Sequence, residues 1–274
     1  MMKARMLTML VVVGAWWALT VSTGAAEPAT QLVKKLTLDL GNNVTLKLVL
    51  IPAGTFLMGS PETVKDRFKG EVQHEVTISK PFYMGVTHMT VAQYAEFVKE
   101  TGRKHDEPTF RQTGDHPVVN VNWDDALAFC QWFSMKIDKT VMLPTEAQWE
   151  YACRARSKTR FSFGDKNTNL GDYSWYVDNS AKMTHPVGKK KSNAWGLYDM
   201  HGNAWQWCSD YFGPYILEDK TDPMGPKEGN IRAARGGSWI AEPPACRSAF
   251  RCSGFPQKRD GAFGFRVVVR AGMD

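Results

Sequence analysis

The residues of this chain with the most distinctive chemistry are its five cysteines: Cys130, Cys153, Cys208, Cys246 and Cys252. Thiols form disulfides, bind soft metal ions or react as redox nucleophiles. The histidines show neither zinc-like pairing at i+3 or i+4 nor a three-histidine cluster, and there is no Gly-x-Ser-x-Gly or phosphate-loop motif. These patterns argue against a hydrolase or a nucleotide-binding protein, so the cysteines are the residues to explain.

The first 26 residues have the three parts of an export signal. Lys3 and Arg5 form a positive region, Met6–Thr20 is an apolar run, and Ser22–Ala26 offers small residues for cleavage. The run is shorter than the ~20 residues that cross a bilayer, although an N-terminal membrane anchor is the alternative. The sequence therefore predicts an exported chain, periplasmic or secreted, with no membrane segment after cleavage. Disulfides can form in such a compartment, and an odd number of cysteines leaves one thiol unpaired.

Composition limits the possible partners. The net charge of +6 comes from 34 Lys and Arg against 28 Asp and Glu, and the longest basic cluster is Lys189–Lys191. DNA-binding proteins usually carry a basic stripe on one element, so no nucleic-acid partner is expected. With 274 residues, 43% of them hydrophobic, the chain can bury a core without metal or disulfide, and a mostly disordered protein is excluded.

The elements that must position these residues are predicted mainly in the first half. Apolar periodicity and capping residues predict strands at Leu36–Leu50, His74–Ile78 and Phe82–Val86, and helices at Val91–Thr101, about 122–137 and Thr145–Ala152. After Cys153 only Ile231–Ala234 and Gly264–Val269 are strand candidates. So long a region with little regular structure indicates that turns, aromatic packing, metal or disulfides organise it.

Six motifs then follow one another along the chain: Ile51–Ser60, His116–Trp123, Leu143–Ala152, Gly196–Trp207, Arg235–Trp239 and Gly264–Val267. In this order they resemble the formylglycine-generating enzyme, or sulfatase-modifying-factor, family. The resemblance implies an α+β fold, a complex variant of the C-type-lectin-like fold with low regular secondary structure. It divides the chain into a signal peptide (1–26), a leader with the first strand (27–46) and the family domain (47–270).

The resemblance leaves the activity open. Members that make formylglycine use two cysteines after the Arg-Gly-Gly-Ser segment to bind Cu(I), a soft ion that thiolates suit, and O2 then oxidises a substrate cysteine. The first position is Ala241 here and the second is Cys246. Cys246 is then either a surviving copper or redox thiol or a buried or disulfide-bonded cysteine. Ser238 and Trp205 match residues that line the catalytic groove, or serve as a turn hydroxyl and a core indole.

The resemblance also implies a disulfide and a calcium site. Cys153 and Cys252 match a bonded pair, Cys208 and Cys246 are a weaker second pair, and Cys130 remains as a buried free thiol. The calcium ligands would be the side chain of Asp199 and the carbonyls of Met200, Gly202 and Ala204. Ca²⁺ prefers such oxygen ligands, although Asp199 could instead cap a turn.

The sequence therefore predicts an exported member of this family with an incomplete copper-thiolate pair. Such a protein would be an accessory or binding module, or an altered oxidase, that acts on an extracytoplasmic protein or peptide. One alternative is a true formylglycine-generating oxidase that uses Cu and a rearranged pair such as Cys246 with Cys252. Another is a lectin-like module that binds glycans or peptides, which rests on the fold alone.

Overall fold

The computed structural model describes residues 34–218 and 220–272. The predicted signal peptide (1–26) and the leader as far as residue 33 lie outside the described residues. The strands are β1 (Lys35–Gly41), β2 (Val44–Ile51), β3 (Gly54–Met58), β4 (His74–Ile78), β5 (Phe82–Gly85), β6 (Val141–Met142), β7 (Trp205–Tyr211), β8 (Arg232–Arg235), β9 (Cys252–Gly254), β10 (Phe263–Phe265) and β11 (Val268–Arg270). The helices are α1 (Val91–Thr101), α2 (Trp123–Ile137), α3 (Glu146–Arg154) and the short α4 (Leu170–Tyr173), with 3-10 turns at Asn167–Asn169 and Pro243–Cys246.

The three long helices lie where the sequence predicts them, because each begins with a capping box. In every case a polar N-cap side chain accepts the N–H of the third helical residue, whose own side chain accepts the N–H of the cap. The pairs are Thr90 with Gln93, Asn122 with Asp125, and Thr145 with Gln148. These caps fix the helix starts locally.

The strands form three sheets. A five-stranded sheet has the order β1-β2-β5-β11-β6, a four-stranded sheet has the order β10-β7-β8-β9, and β3 pairs with β4. The single strand predicted at Leu36–Leu50 is a hairpin instead, because Asn42 and Asn43 both adopt positive φ, 51° and 63°, as a tight hairpin turn requires. The predicted strand at Gly264–Val269 is likewise divided between β10 and β11, which belong to different sheets.

Two hydrophobic cores lie on opposite faces of these sheets. Successive strand residues alternate between the cores: Ala234 packs in the first core and Ala233 in the second, and Val269 and Val268 divide in the same way. The first core contains much of the aromatic packing, with Phe129 and Phe265 rings 5.4 Å apart. The second core surrounds α3.

This division contradicts the predicted disulfides. All five cysteines are free thiols, four of them buried and Cys252 partly exposed. Cys153 lies in the second core, whereas Cys252 stands opposite Ala234 in the β8–β9 pair and packs against the first core. Directly paired strand residues share a face, so the two sulfurs lie on opposite sides of the four-stranded sheet. Cys208 and Cys246 are divided between the two cores in the same way.

We expect a thiol titration of the denatured, unreduced protein to find five free thiols. In the native protein only Cys252 should react readily, because the other four are buried. The measurement is alkylation before and after denaturation, read by mass spectrometry. A count of three in denaturant, with Cys153 protected, would restore the predicted pair.

Candidate functional site

The site is built around two consecutive glycines at the end of β8. Gly236 and Gly237 have φ values of 102° and 76°, a conformation that L-residues with a side chain rarely adopt. A Cβ on Gly237 would lie 2.8 Å from the Cys246 sulfur, and one on Gly236 would lie 2.9 Å from the Trp149 ring. The glycines therefore let the backbone pass between α3 and the segment that carries Cys246.

Beyond the glycines, Ser238, Ala241 and Cys246 lie in one region. The Ala241 N–H donates to the Ser238 carbonyl over 3.0 Å, and the Trp239 N–H donates to Asn203, next to the β7 start at Trp205. Ala241, Cys246 and Trp205 pack in the same core. Ser238 is thus bonded to Ala241, and Trp205 shares a core with Ala241 and Cys246.

The Cys246 thiol is fully buried, and within the described residues no cation acts on it to stabilise a thiolate. Burial raises its pKa well above the ordinary cysteine value, and the nearby Ser174 hydroxyl lowers it only in part. The position that would supply a second sulfur holds the Ala241 methyl group. Cys252, the other candidate, contacts the Ser253 carbonyl over 3.8 Å. A neutral buried thiol beside a methyl group is a poor ligand for copper, because the thiolate is the form that binds metal.

His201 joins this region to the end of α3, a role that the sequence did not reveal. The Ser162 N–H donates to its Nε2 over 3.2 Å, so Nδ1 carries the proton and donates to the Cys246 carbonyl over 2.9 Å. The Cys153 sulfur lies 3.9 Å from Nε2. Burial lowers the pKa of His201 to about 4, so the imidazole is neutral and acts as a hydrogen-bonding spacer.

A row of aromatic rings runs from the buried Trp205 to the surface. Trp205, which is 8% exposed, lies 5.8 Å from Phe250, and Phe250 meets the edge of Phe68 at 5.0 Å. Phe68 is 58% exposed. The Ser238 hydroxyl is buried and has no hydrogen-bond partner among the described residues. The exposed end of the row offers apolar contact area at the surface.

The loop that carries Phe68 is held by a buried ion pair. Both Arg247 Nη atoms donate to the Glu71 carboxylate, over 2.7 and 2.8 Å, and Nη2 also donates to the Asp66 carbonyl. Arg247 and Glu71 are both fully buried. Because Arg247 follows Cys246 directly, the thiol segment and the loop are fixed to each other.

Asp199 occupies the place predicted for calcium binding. Its backbone has φ 55°, and one carboxylate oxygen accepts the Gly188 N–H over 2.8 Å. The other oxygen is buried and lacks a partner among the described residues. Burial raises the pKa of Asp199 to about 6, opposed by the Gly188 N–H and by the charge of Arg266.

The predicted carbonyl ligands are partly engaged. The Ala204 carbonyl accepts from His88 Nε2 over 2.8 Å, the Gly202 carbonyl accepts the Ala204 N–H, and the Met200 carbonyl lies 3.7 Å from the Cys153 sulfur. Each carbonyl oxygen has a second lone pair. Among the described residues no group of three or more His, Cys, Asp or Glu side chains could hold a metal, so any ion here depends on backbone oxygens.

Short curled sheets, few helices and long ordered loops around a glycine turn define an α+β protein of low regular structure. The chain belongs to the sulfatase-modifying-factor family: the model described as "Sulfatase-modifying factor enzyme 1-like domain" matches residues 39–271. This confirms the resemblance read from the six motifs.

Two curated relatives and one solved structure are similar to this chain over most of its length. The formylglycine-generating enzyme of Streptomyces coelicolor is 31% identical, over 82% of this chain and 90% of the relative. The inactive C-alpha-formylglycine-generating enzyme 2 of Bos taurus is 27% identical, over 86% and 92%. Among solved structures, that of PvdO from Pseudomonas aeruginosa is 27% identical with a TM-score of 0.80, over 86% of this chain and 98% of PvdO.

We expect Glu71→Gln to release the loop that carries Phe68. The substitution leaves the Arg247 guanidinium buried without its carboxylate, a change that costs about 3–5 kcal/mol in comparable pairs. Trypsin should then cleave after Lys65, Arg67 or Lys69 much faster than in the unchanged protein, as followed by mass spectrometry.

The matched control for Glu71→Gln is Asp172→Asn. Asp172 pairs with Lys191 on the surface, where both side chains are more than half exposed, and such pairs contribute about 0–1 kcal/mol. Equal cleavage rates in the two variants would show that the ion pair does not hold the loop.

Proposed function

We propose that this protein is an exported family member that binds an extracytoplasmic protein or peptide without copper-dependent oxidation. The observation that carries the proposal is the single buried thiol: Cys246 shares a core with Ala241, which stands at the position where the family pair has its other cysteine. The aromatic row that runs from Trp205 through Phe250 to the exposed Phe68 supports a binding role. The relative from Bos taurus is named as inactive, which supports the proposal that a member of this family can keep the fold without the oxidation.

The competing function is a formylglycine-generating oxidase, which the 31% identical enzyme of Streptomyces coelicolor favours. It would convert a sulfatase cysteine to formylglycine with copper and O2. The residues present do not fit copper: one donor is a methyl group, and the pKa of the remaining thiol is raised by burial. We therefore assign no step to copper in this chain.

Export is supported by the composition of residues 1–26, which lie outside the described residues. None of the helices within 34–218 and 220–272 has the length and hydropathy that a bilayer span needs. We propose periplasmic or secreted localisation on the composition of residues 1–26 alone.

Calcium is the ion that the site fits. A buried, unpaired Asp199 carboxylate oxygen beside a turn of carbonyls is the donor set that a hard cation takes. Asp199 and the carbonyls of Met200, Gly202 and Ala204 would hold it. Bound there, calcium would fix the turn that leads into β7, the strand that begins with Trp205.

The protein should not convert a Cys-x-Pro-x-Arg peptide to formylglycine when loaded with copper in air, because the metal lacks its second soft ligand. Mass spectrometry of the peptide measures this. Turnover that Cys246→Ser abolishes would establish the oxidase. Turnover that survives Cys246→Ser would place the chemistry elsewhere in the molecule.

Restoring the sulfur provides a second test. Ala241→Cys should bind Cu(I) more tightly than the unchanged protein by at least about tenfold, or ~1.4 kcal/mol, in competition with a copper chelator. Ala241→Ser is the matched control, because it adds a group of similar size without a soft donor. Equal affinities for the two variants would show that the site cannot bring two sulfurs together.

Chelation should lower the melting temperature if calcium is bound only by the folded state. At a free concentration 100 times Kd the ion stabilises by about 2.7 kcal/mol, which for a chain of this size is several degrees. Asp199→Ala should remove the response, and Asp199→Asn, which keeps a side-chain oxygen, should retain part of it. Identical melts with and without chelator, at matched ionic strength, would count against the site.

A further inference from the structure

An irregular turn formed by residues 222–226 lines two spaces near the start of α3. Pro223 and Gly225 line a cavity of about 20 Å³, enough for a single water. Asp222 and Met224 line an open groove of about 1190 Å³ beside α2 and the β6 edge. Alternate residues of one turn thus face the two spaces, so a movement of the turn would change both.

The turn is packed directly on Asp210, in β7. Gly225 has φ 70°, and a Cβ there would lie 3.1 Å from the Asp210 Cβ and 3.2 Å from its Oδ1. On the other side, the Asp222 N–H donates to the Thr77 carbonyl, and the Asp222 carboxylate accepts from the N–H and hydroxyl of Ser79. The turn is therefore clamped between β4 and the Asp210 carboxyl group.

Asp210 is the buried acid in this cluster for which the described residues provide no ion pair. Its Oδ2 accepts the Glu146 N–H over 3.0 Å and the Ser209 hydroxyl over 3.1 Å. By contrast, Glu146 pairs with Arg251 and Arg235, and Glu150 pairs with Arg235 and Arg154. All three arginines are thus paired with the two glutamates rather than with Asp210.

The other charged or titratable groups around Asp210 form no ion pair with it in the described part of the chain. Arg232 acts on it electrostatically, but its guanidinium lies between the rings of Trp123 and Tyr211, at 3.7 and 3.5 Å. His74 and Tyr215 line the cavity, and the Tyr215 hydroxyl is buried without a partner among the described residues. The buried Cys208 thiol is neutral, since burial and the charge of Asp210 raise its pKa.

An ionised Asp210 would therefore put a second negative charge beside Glu146 in a cavity that holds at most one water. Burial and the charge of Glu146 raise the pKa of Asp210 to about 7. The packed arrangement favours the protonated acid, and ionisation favours any movement that brings water to the carboxylate.

We propose that the 222–226 turn is a proton-controlled wall of the groove, closed on Asp210 while this acid is protonated and released from it when the acid ionises. The groove wall formed by Asp222 and Met224 would then change with pH. The direction follows from linkage. The closed state holds the proton with a pKa of about 7, the open state with an ordinary aspartate pKa of about 3.9. Opening therefore becomes more favourable as pH rises between these values.

Hydrogen exchange at the amide of Asp222, which donates to the Thr77 carbonyl over 2.9 Å, tests the proposal, with rates corrected for the intrinsic pH dependence of exchange. Protection should fall by about tenfold per pH unit between about pH 5 and pH 6.5, and level off above about pH 8. Asp210→Asn, which keeps an acceptor oxygen but cannot ionise, should give pH-independent protection.

Asp172→Asn, the same change at an exposed carboxylate, should keep the profile of the unchanged protein. Constant protection across this range in the unchanged protein would overturn the proposal. So would a pH dependence that persists in Asp210→Asn, because the titrating group would then be another residue.

Discussion

Buried arginine side chains hold together the long loops of this fold. A chain with so little regular structure leaves many loop carbonyls without backbone partners, and buried carbonyls must be satisfied. Arg235 donates to the carbonyls of Ser248 and Ala249, and Arg266 donates to those of Gly85 and Tyr198. Arg154 likewise reaches the carbonyls of Gly59 and Thr159. One guanidinium with five donors can join segments that no sheet connects.

Burying a charged guanidinium costs free energy, and acids beside these arginines offset part of that cost. Glu150 accepts from both Arg235 and Arg154, and Glu71 accepts from Arg247. Truncating one partner of such a pair leaves a buried charge without compensation. The candidate site therefore depends on residues that take no part in its chemistry: Arg247 fixes the loop beside Cys246, and Arg235 leads into the two glycines.

The parts of this fold that sequence predicts are those decided within a few residues. Thr90, Asn122 and Thr145 start helices through bonds that span three positions, so the helices were predictable. The hairpin at Asn42 and the division of 264–269 between two sheets depend on what the strands pair with, which periodicity does not reveal. The arginine contacts join residues up to 187 positions apart, and no local pattern marks them.

The cysteine pairing failed for a related reason. A resemblance transfers residue positions, but a disulfide requires two sulfurs on one side of a sheet, and here the alternation of β8 sends Ala233 and Ala234 to different cores. Trp205, Ala241 and Cys246, by contrast, share one core whatever their chemistry.

The region around Cys246 is shaped by residues other than Ala241. It is positioned by the glycine turn, by the Arg247–Glu71 pair and by the hydrogen bonds of His201, and none of these needs a thiol at position 241. A methyl group fits there, in a residue that is 7% exposed, without disturbing the hydrogen bond from Ala241 to Ser238. The packing of this region therefore does not depend on a sulfur at position 241, because the contacts that shape it and the atoms that would bind copper belong to different residues.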